Sequence, residues 1–139
     1  MNDNFYISDT VKEQLRQHGV QLVYLFGSHA EGTNHPMSDV DIGVVMDYKS
    51  LENNANDLYI NLFDIFTDVF PNESIDIVFL QRAGLELCFD VICHGKVLFE
   101  SDANVRDSFE DRIQMLYMDY KPTLNMFDEQ VLERIGKRL

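Results

Sequence analysis

Apolar residues recur along the chain at two spacings, and the switch between them marks its elements. Val11 and Leu15 sit four apart beside Thr10-x-x-Glu13, which resembles a capping box. That predicts a short helix over about 8–18, ended by Gly19. Val20 to Phe26 reads as a strand, with Gly27 as its exit. "EGTNHPMS" carries loop chemistry, and Val40 to Met46 reads as a second strand. Leu51, Ala55, Leu58, Leu62, Ile65, Phe66 and Val69 follow helical spacing, so about 50–70 is an amphipathic helix stopped by Pro71-Asn72.

The same alternation continues downstream. "SIDIVFL", 74–80, is a third strand, and "AGLELCFDVICHG", 83–95, reads as a helix with Gly95 past its end. "KVLFE", 96–100, suits a short edge strand. Val105, Phe109, Ile113, Leu116 and Tyr120 mark a long helix, which Pro122 interrupts. Leu124, Phe127, Val131 and Ile135 mark a last helix ending in the basic "GKRL". Counting a short helix after Gly27, the order is α-β-α-β-α-β-α-β-α-α. The expected class is α/β (α+β), a small mixed sheet flanked by helices. We expect one domain over 1–139, with a core over about 1–100 and a helical tail over about 103–139.

Composition narrows this picture. The 139 residues suit one core, and an apolar share of 45% needs no staples. Cys88 and Cys93 match no common metal or redox spacing and read as small core or partly buried residues. No apolar run approaches the roughly 18 residues of a membrane span. "MNDNFYISDT" lacks the basic and apolar regions of a signal peptide, so a cytoplasmic location is expected. The formal net charge of −13 leaves 11 scattered Lys and Arg, which disfavours DNA or general nucleic-acid binding. Acidity of this size serves solubility, or attraction to a basic partner protein.

One feature breaks the apolar pattern. Asp39 and Asp41 lie one residue apart on the second strand, so both point to one side while Ile42, Val44 and Met46 face the core. Two carboxylates with backbones about 7 Å apart repel. A divalent cation relieves that repulsion, and hard Mg²⁺ or Mn²⁺ prefers oxygen ligands. Asp76 repeats the pattern between Ile75 and Ile77 and joins the pair if its strand is a neighbour. Three carboxylates could hold two ions for phosphoryl chemistry. The plainer alternative is a turn cap and two water-facing edge residues. Gly27-Ser28 adds a strand-end glycine that admits close backbone approach and a hydroxyl and N–H donors for phosphate oxygens. Alone, that dipeptide is an ordinary turn.

Gly27-Ser28, ten residues, then Asp39-Val40-Asp41 resembles the signature of the nucleotidyltransferase superfamily related to DNA polymerase beta. The short chain is similar to its minimal members. "MLYMDYKPTLNMFDEQVLERI", 115–135, resembles the tail of the MntA antitoxins, which pair with HEPN-domain ribonuclease toxins (HepT) in two-gene modules of the type VII class. The resemblance implies an ATP- and Mg²⁺-dependent protein adenylyltransferase that places AMP on a tyrosine hydroxyl of its toxin, with which it forms a hetero-oligomer. By that resemblance Gly27 and Ser28 hold the ATP triphosphate and Asp39 and Asp41 bind Mg²⁺. Asp76 completes the metal site and favours loss of the hydroxyl proton. Many relatives carry arginines shortly after the Gly-Ser pair, where this chain has His29 and Glu31. Compensating charge is then expected from metals, backbone, His29, or from distant Arg and Lys such as Arg82 or Arg112. His29 and His35 otherwise read as loop histidines. The stripe Met115, Tyr117, Met118, Tyr120, Met126, Phe127 packs the helices onto the sheet or meets the toxin. Tyr117 and Tyr120 are also conceivable self-modification sites. Two other functions fit the same chain: an antitoxin acting by steric cover alone, and nucleotidyl transfer to a small molecule or an RNA end.

Overall fold

The computed structural model describes residues 7–32 and 39–120. The first helix, α1, spans Asp9–Gln17. Its N-cap is Ser8 rather than Thr10: the Ser8 hydroxyl accepts from the Val11 N–H at 3.3 Å. Gly19 follows at φ +81°, a left-handed turn that feeds the chain straight into strand β1, Val20–Phe26.

Three further strands join β1: β2, Val40–Met46; β3, Ile75–Phe79; and β4, Lys96–Glu100. Their order is β3-β2-β1-β4, with β2 parallel to β3 and both neighbours of β1 antiparallel to it. The sheet is therefore mixed, as expected, and β4 is an edge. A short helix α2, Ser28–Glu31, follows β1. Helix α3, Tyr48–Val69, crosses from β2 to β3, and α4, Leu85–His94, follows a 3-10 turn at Leu80–Arg82. A helix α5 starts at 105 and reaches 120, where the described residues end. The predicted last helix, with Met126 and Phe127, lies outside them.

The central strands read as apolar runs because both of their faces are covered. On one face Val23, Leu25, Val40, Ile42, Val44 and Met46 pack with Leu15 of α1 and Leu58, Leu62 and Phe66 of α3. On the other, Leu22, Tyr24, Phe26 and Val45 pack with Leu80, Cys88 and Val91, and with Phe109 and Ile113 of α5. The first half of the expected tail thus shares the core. Its hold on β1 is polar as well as apolar. The buried Tyr24 hydroxyl donates to Glu110 Oε1 at 2.8 Å, and Arg106 Nε pairs with the same oxygen at 3.1 Å.

Gly43 has a spatial role in mid-strand. A Cβ there would lie 3.1 Å from both methyl carbons of buried Leu80. Leu80 sits where that side chain would be, and Gln81 is turned back onto β2. Its Oε1 accepts from the Met46 N–H at 2.9 Å, and its Nε2 donates to the Met46 carbonyl.

Three local expectations are corrected. Helix α3 is interrupted at Asn54 (φ −162°, ψ 61°), where the Asn54 amide donates to Asp57 Oδ2 at 2.8 Å. Asn competes with the helix through such local bonds, which the apolar spacing cannot reveal. Cys88 is buried but Cys93 is exposed. On α5 only Phe109 and Ile113 are buried, whereas Leu116, Tyr120, Met115 and Met118 are exposed. The outer half of that stripe is surface.

Candidate active site

Strand register decides whether the aspartates meet. Phe26 pairs with Asp41 across β1–β2, and Asp41 pairs with Asp76 across β2–β3. Residues in register share a face. Phe26, Asp41 and Asp76 therefore form one row across the sheet at its rim. Asp39 precedes β2 by one residue and lies one pleat further out on the same side. The expectation that Asp76 sits beside the Asp39–Asp41 pair agrees with this register.

The acidic row has an electrostatic signature. The Asp41 carboxyl is pushed above its ordinary range, first by burial, then by the charges of Asp76 and Asp39, with His29 opposing. Yet among the described residues no three acidic, histidine or cysteine groups are gathered as a ligand set for one ion. The carboxylates sense one another electrostatically. Hard oxygen donors under mutual repulsion nonetheless suit a divalent ion in their chemistry, and Asp39, Asp41 and Asp76 are the residues that would hold it.

Gly27 completes the rim. It stands at φ +73°, and a Cβ on it would run into Asp41 Oδ2 and come within 3.2 Å of Asp41 Cγ. The glycine is required twice, by its backbone angle and by the carboxylate packed on it. Ser28 opens α2 one residue on.

His29 corrects an expectation. It is no loop histidine: at 7% exposure it is the buried polar residue of the described core. It lies on α2, close enough to Asp41 for its charge to be felt there. The single turn of α2 directs His29 and Ala30 inward together, and no local sequence signal marks that side. His35 lies outside the described residues.

Arg82 and Arg112 are distant from the rim, as expected of them. Arg112 lines a cavity of about 460 Å³ with Val45, Met46, Gln81 and Phe109, at the far end of β2. Val45 is four residues from Asp41, about 13 Å at 3.3 Å per residue. Arg82 follows β3 at that same far end, where its Nη2 donates to the Leu51 carbonyl at 3.4 Å. Neither guanidinium stands at the acidic rim. The four strands carry one Lys or Arg between them, Lys96, which pairs with Leu25 at the rim end and so lies on the face opposite Asp41. Sequence reasoning passed over it, because only register places it there.

A mixed four-stranded sheet with a short helix between two antiparallel strands and a parallel third strand is the polymerase-beta-like nucleotidyltransferase fold. Residues 9–104 match the family described as Polymerase beta, Nucleotidyltransferase, and the chain belongs to it. It is similar to the protein adenylyltransferase MntA of Shewanella oneidensis, at 37% identity over 81 residues. That match covers 58% of this chain and 54% of the relative, so the chain spans about half the length of the curated relative it matches. Among solved structures it resembles one of a toxin–antitoxin with AMP-PNP. There the TM-score is 0.66 at 25% identity, covering 95% of this chain and 99% of the other. It also resembles a variant of the MntA toxin–antitoxin, with TM-score 0.68 at 27% identity, covering 89% and 96%. Among the described residues no helix is long and apolar enough to cross a membrane.

Proposed function

We infer that this chain is the antitoxin of a two-gene module, a cytoplasmic protein adenylyltransferase that moves AMP from ATP to a tyrosine hydroxyl of a HEPN-domain ribonuclease toxin. The single observation that carries the chemistry is the in-register pair Asp41–Asp76 with the Gly27 backbone packed against the Asp41 carboxylate. The likeness to a protein adenylyltransferase, and to a toxin–antitoxin with AMP-PNP, supports the substrate and the partner. We take 1–139 as one minimal unit with a helical tail, in a hetero-oligomer with the toxin.

The residues take distinct roles. Gly27 lets the chain approach the triphosphate, and Ser28 offers its hydroxyl and N–H to phosphate oxygens. Asp39, Asp41 and Asp76 are the residues whose oxygens would hold Mg²⁺ or Mn²⁺. When bound there, a divalent ion would supply charge neutralisation on the phosphates. The phenol oxygen forms a bond to the α-phosphorus of ATP, and the bond from that phosphorus to the α–β bridging oxygen breaks. Pyrophosphate leaves with the electron pair. The phenolic proton, with a pKa near 10 in free tyrosine, passes to the Asp76 carboxylate and on to water.

The test is an intact-mass measurement on the toxin encoded beside this chain, after incubation with the chain, ATP and magnesium. The expected result is a gain of about 329 Da per AMP unit on the toxin. Three results overturn the reading: no gain, label on RNA or a small molecule instead, or full toxin neutralisation by an Asp39→Asn/Asp41→Asn variant. The last outcome marks a purely steric antitoxin.

A further inference from the structure

Strand β3 is an edge of the described sheet, and one hydrogen bond fixes which of its backbone groups point away from β2. The Val40 N–H donates to the Ser74 carbonyl at 2.7 Å. Backbone groups alternate sides along a strand, so 74, 76 and 78 face β2 while Ile75, Ile77 and Phe79 aim their N–H and C=O outward. Among the described residues no strand lies beyond them. Among the described residues the outer edge of β3 is thus an unpaired ladder running past Asp76, with Ile77 at its centre 5% exposed.

The surroundings of this edge are apolar on one side and acidic overall. Tyr59 of α3 meets Phe79 edge-on at 6.4 Å between centroids and stacks on Phe63 at the same distance. Phe63 is 39% exposed and Ile60 beside it 57%, so the aromatic ladder ends in an open shoulder. Residues 50–81, which supply most of α3 and all of β3, contain six acids (Glu52, Asp57, Asp64, Asp68, Glu73 and Asp76) and no Lys, Arg or His. Sheet edges left open are commonly guarded by lysine. The opposite edge, β4, carries Lys96, whereas β3 has no basic residue.

We propose that the β3 edge receives the acceptor as an added strand: an extended, basic segment of the partner pairs with Ile75, Ile77 and Phe79 and delivers its tyrosine beside Asp76. This deepens the function proposed above and rests on it. An added strand alternates its side chains. Residues on the Asp76 face enter the acidic rim, and their neighbours fall on the Tyr59–Phe63–Ile60 shoulder. Main-chain bonds supply affinity and alternate side chains supply selection, as in strand addition generally. The acidic stretch selects a basic segment and speeds its approach.

Two measurements on the full chain test this, with the intact neighbouring toxin as the probe. The first is amide hydrogen exchange with and without toxin, in the absence of ATP. The expected pattern is alternate: Ile75, Ile77 and Phe79 gain at least about tenfold protection. Asp76 and Val78, already bonded to β2, change little. The second is the rate of AMP transfer by an Ile60→Asp/Phe63→Asp variant, whose changes lie on the outer surface of α3. The expected rate on the toxin falls at least about tenfold while heat of AMP-PNP binding is unchanged. Absent or non-alternating protection, or an unchanged rate in the variant, overturns the edge proposal while leaving the adenylyltransferase standing. If the unaltered chain transfers no AMP to the toxin, the proposed function falls, and the occupant of the edge falls with it.

Discussion

The two ends of the same strands solve opposite problems. At the rim end, Asp41 and Asp76 stand in register, Asp39 adds a third charge, and the nearby His29 imidazole opposes them at Asp41. At the far end polar groups are matched. Gln81 clamps both backbone groups of Met46, and further along the same face Glu110 joins Tyr24 to Arg106. No described buried side-chain N or O lacks a partner. Like charges held in register weaken a fold, so the rim is understandable as a place shaped for a ligand. The other region is shaped for stability.

The contrast can be broken most strongly at the rim. Replacing Asp39 and Asp41 by Asn should cut AMP transfer by on the order of 10³-fold, with the far-ultraviolet circular dichroism spectrum unchanged. Single-turnover labelling of the toxin measures it. Gly27→Ala should be the next largest effect. The new Cβ meets the Asp41 carboxylate at a positive φ. Transfer should fall by roughly 10–100-fold with a stability cost of about 1 kcal/mol. A normal rate in that variant would show that the close packing of glycine on carboxylate is irrelevant to chemistry.

Smaller effects sharpen the stability side. Tyr24→Phe removes a buried hydroxyl from a charged acceptor and should cost about 1–2 kcal/mol in urea unfolding, with little change in transfer rate. The reverse holds for Asp41→Asn in nucleotide- and metal-free protein, which should gain up to about 1 kcal/mol. Burial and its acidic neighbours raise the Asp41 pKa in the folded state, so the folded protein holds this proton more tightly than the unfolded chain. Stability from this group is then greatest at low pH. It falls as pH rises from the ordinary carboxylate value through the raised one. Melting curves across that interval should slope downward more in the parent than in the variant.

Much of this arrangement could be read from local pattern. The spans of β1, β2 and α3 follow from runs and spacings of apolar residues, because burial is what selects those residues. Asp39 and Asp41 declared themselves as charges in a buried strand. Asp76 required one further fact, that β3 lies next to β2, and the β-α-β connection through α3 supplies it. The parts that were missed depend on three-dimensional neighbours. The distance of Arg82 from the rim depends on the direction of β3, and that of Arg112 on where α5 packs beside Val45 and Met46. His29 looked like a loop residue because nothing in "GSHAEG" announces which side of one helical turn faces inward. Ser8 outcompeted Thr10 as a cap because helix starts shift by a residue or two without changing the apolar stripe.

Gly43 and Leu80 leave a lasting mark on how this protein can vary. Their atoms occupy a single shared volume, one residue contributing bulk because the other contributes none. Alanine at 43 would set its methyl 3.1 Å from both Leu80 methyl carbons, which must give by a few tenths of an ångström, whereas shrinking Leu80 alone would leave a hole. Only coordinated exchange, a methyl added on one side and carbon removed on the other, preserves the fit. The two positions are therefore coupled, and a change of volume at either is felt at the other.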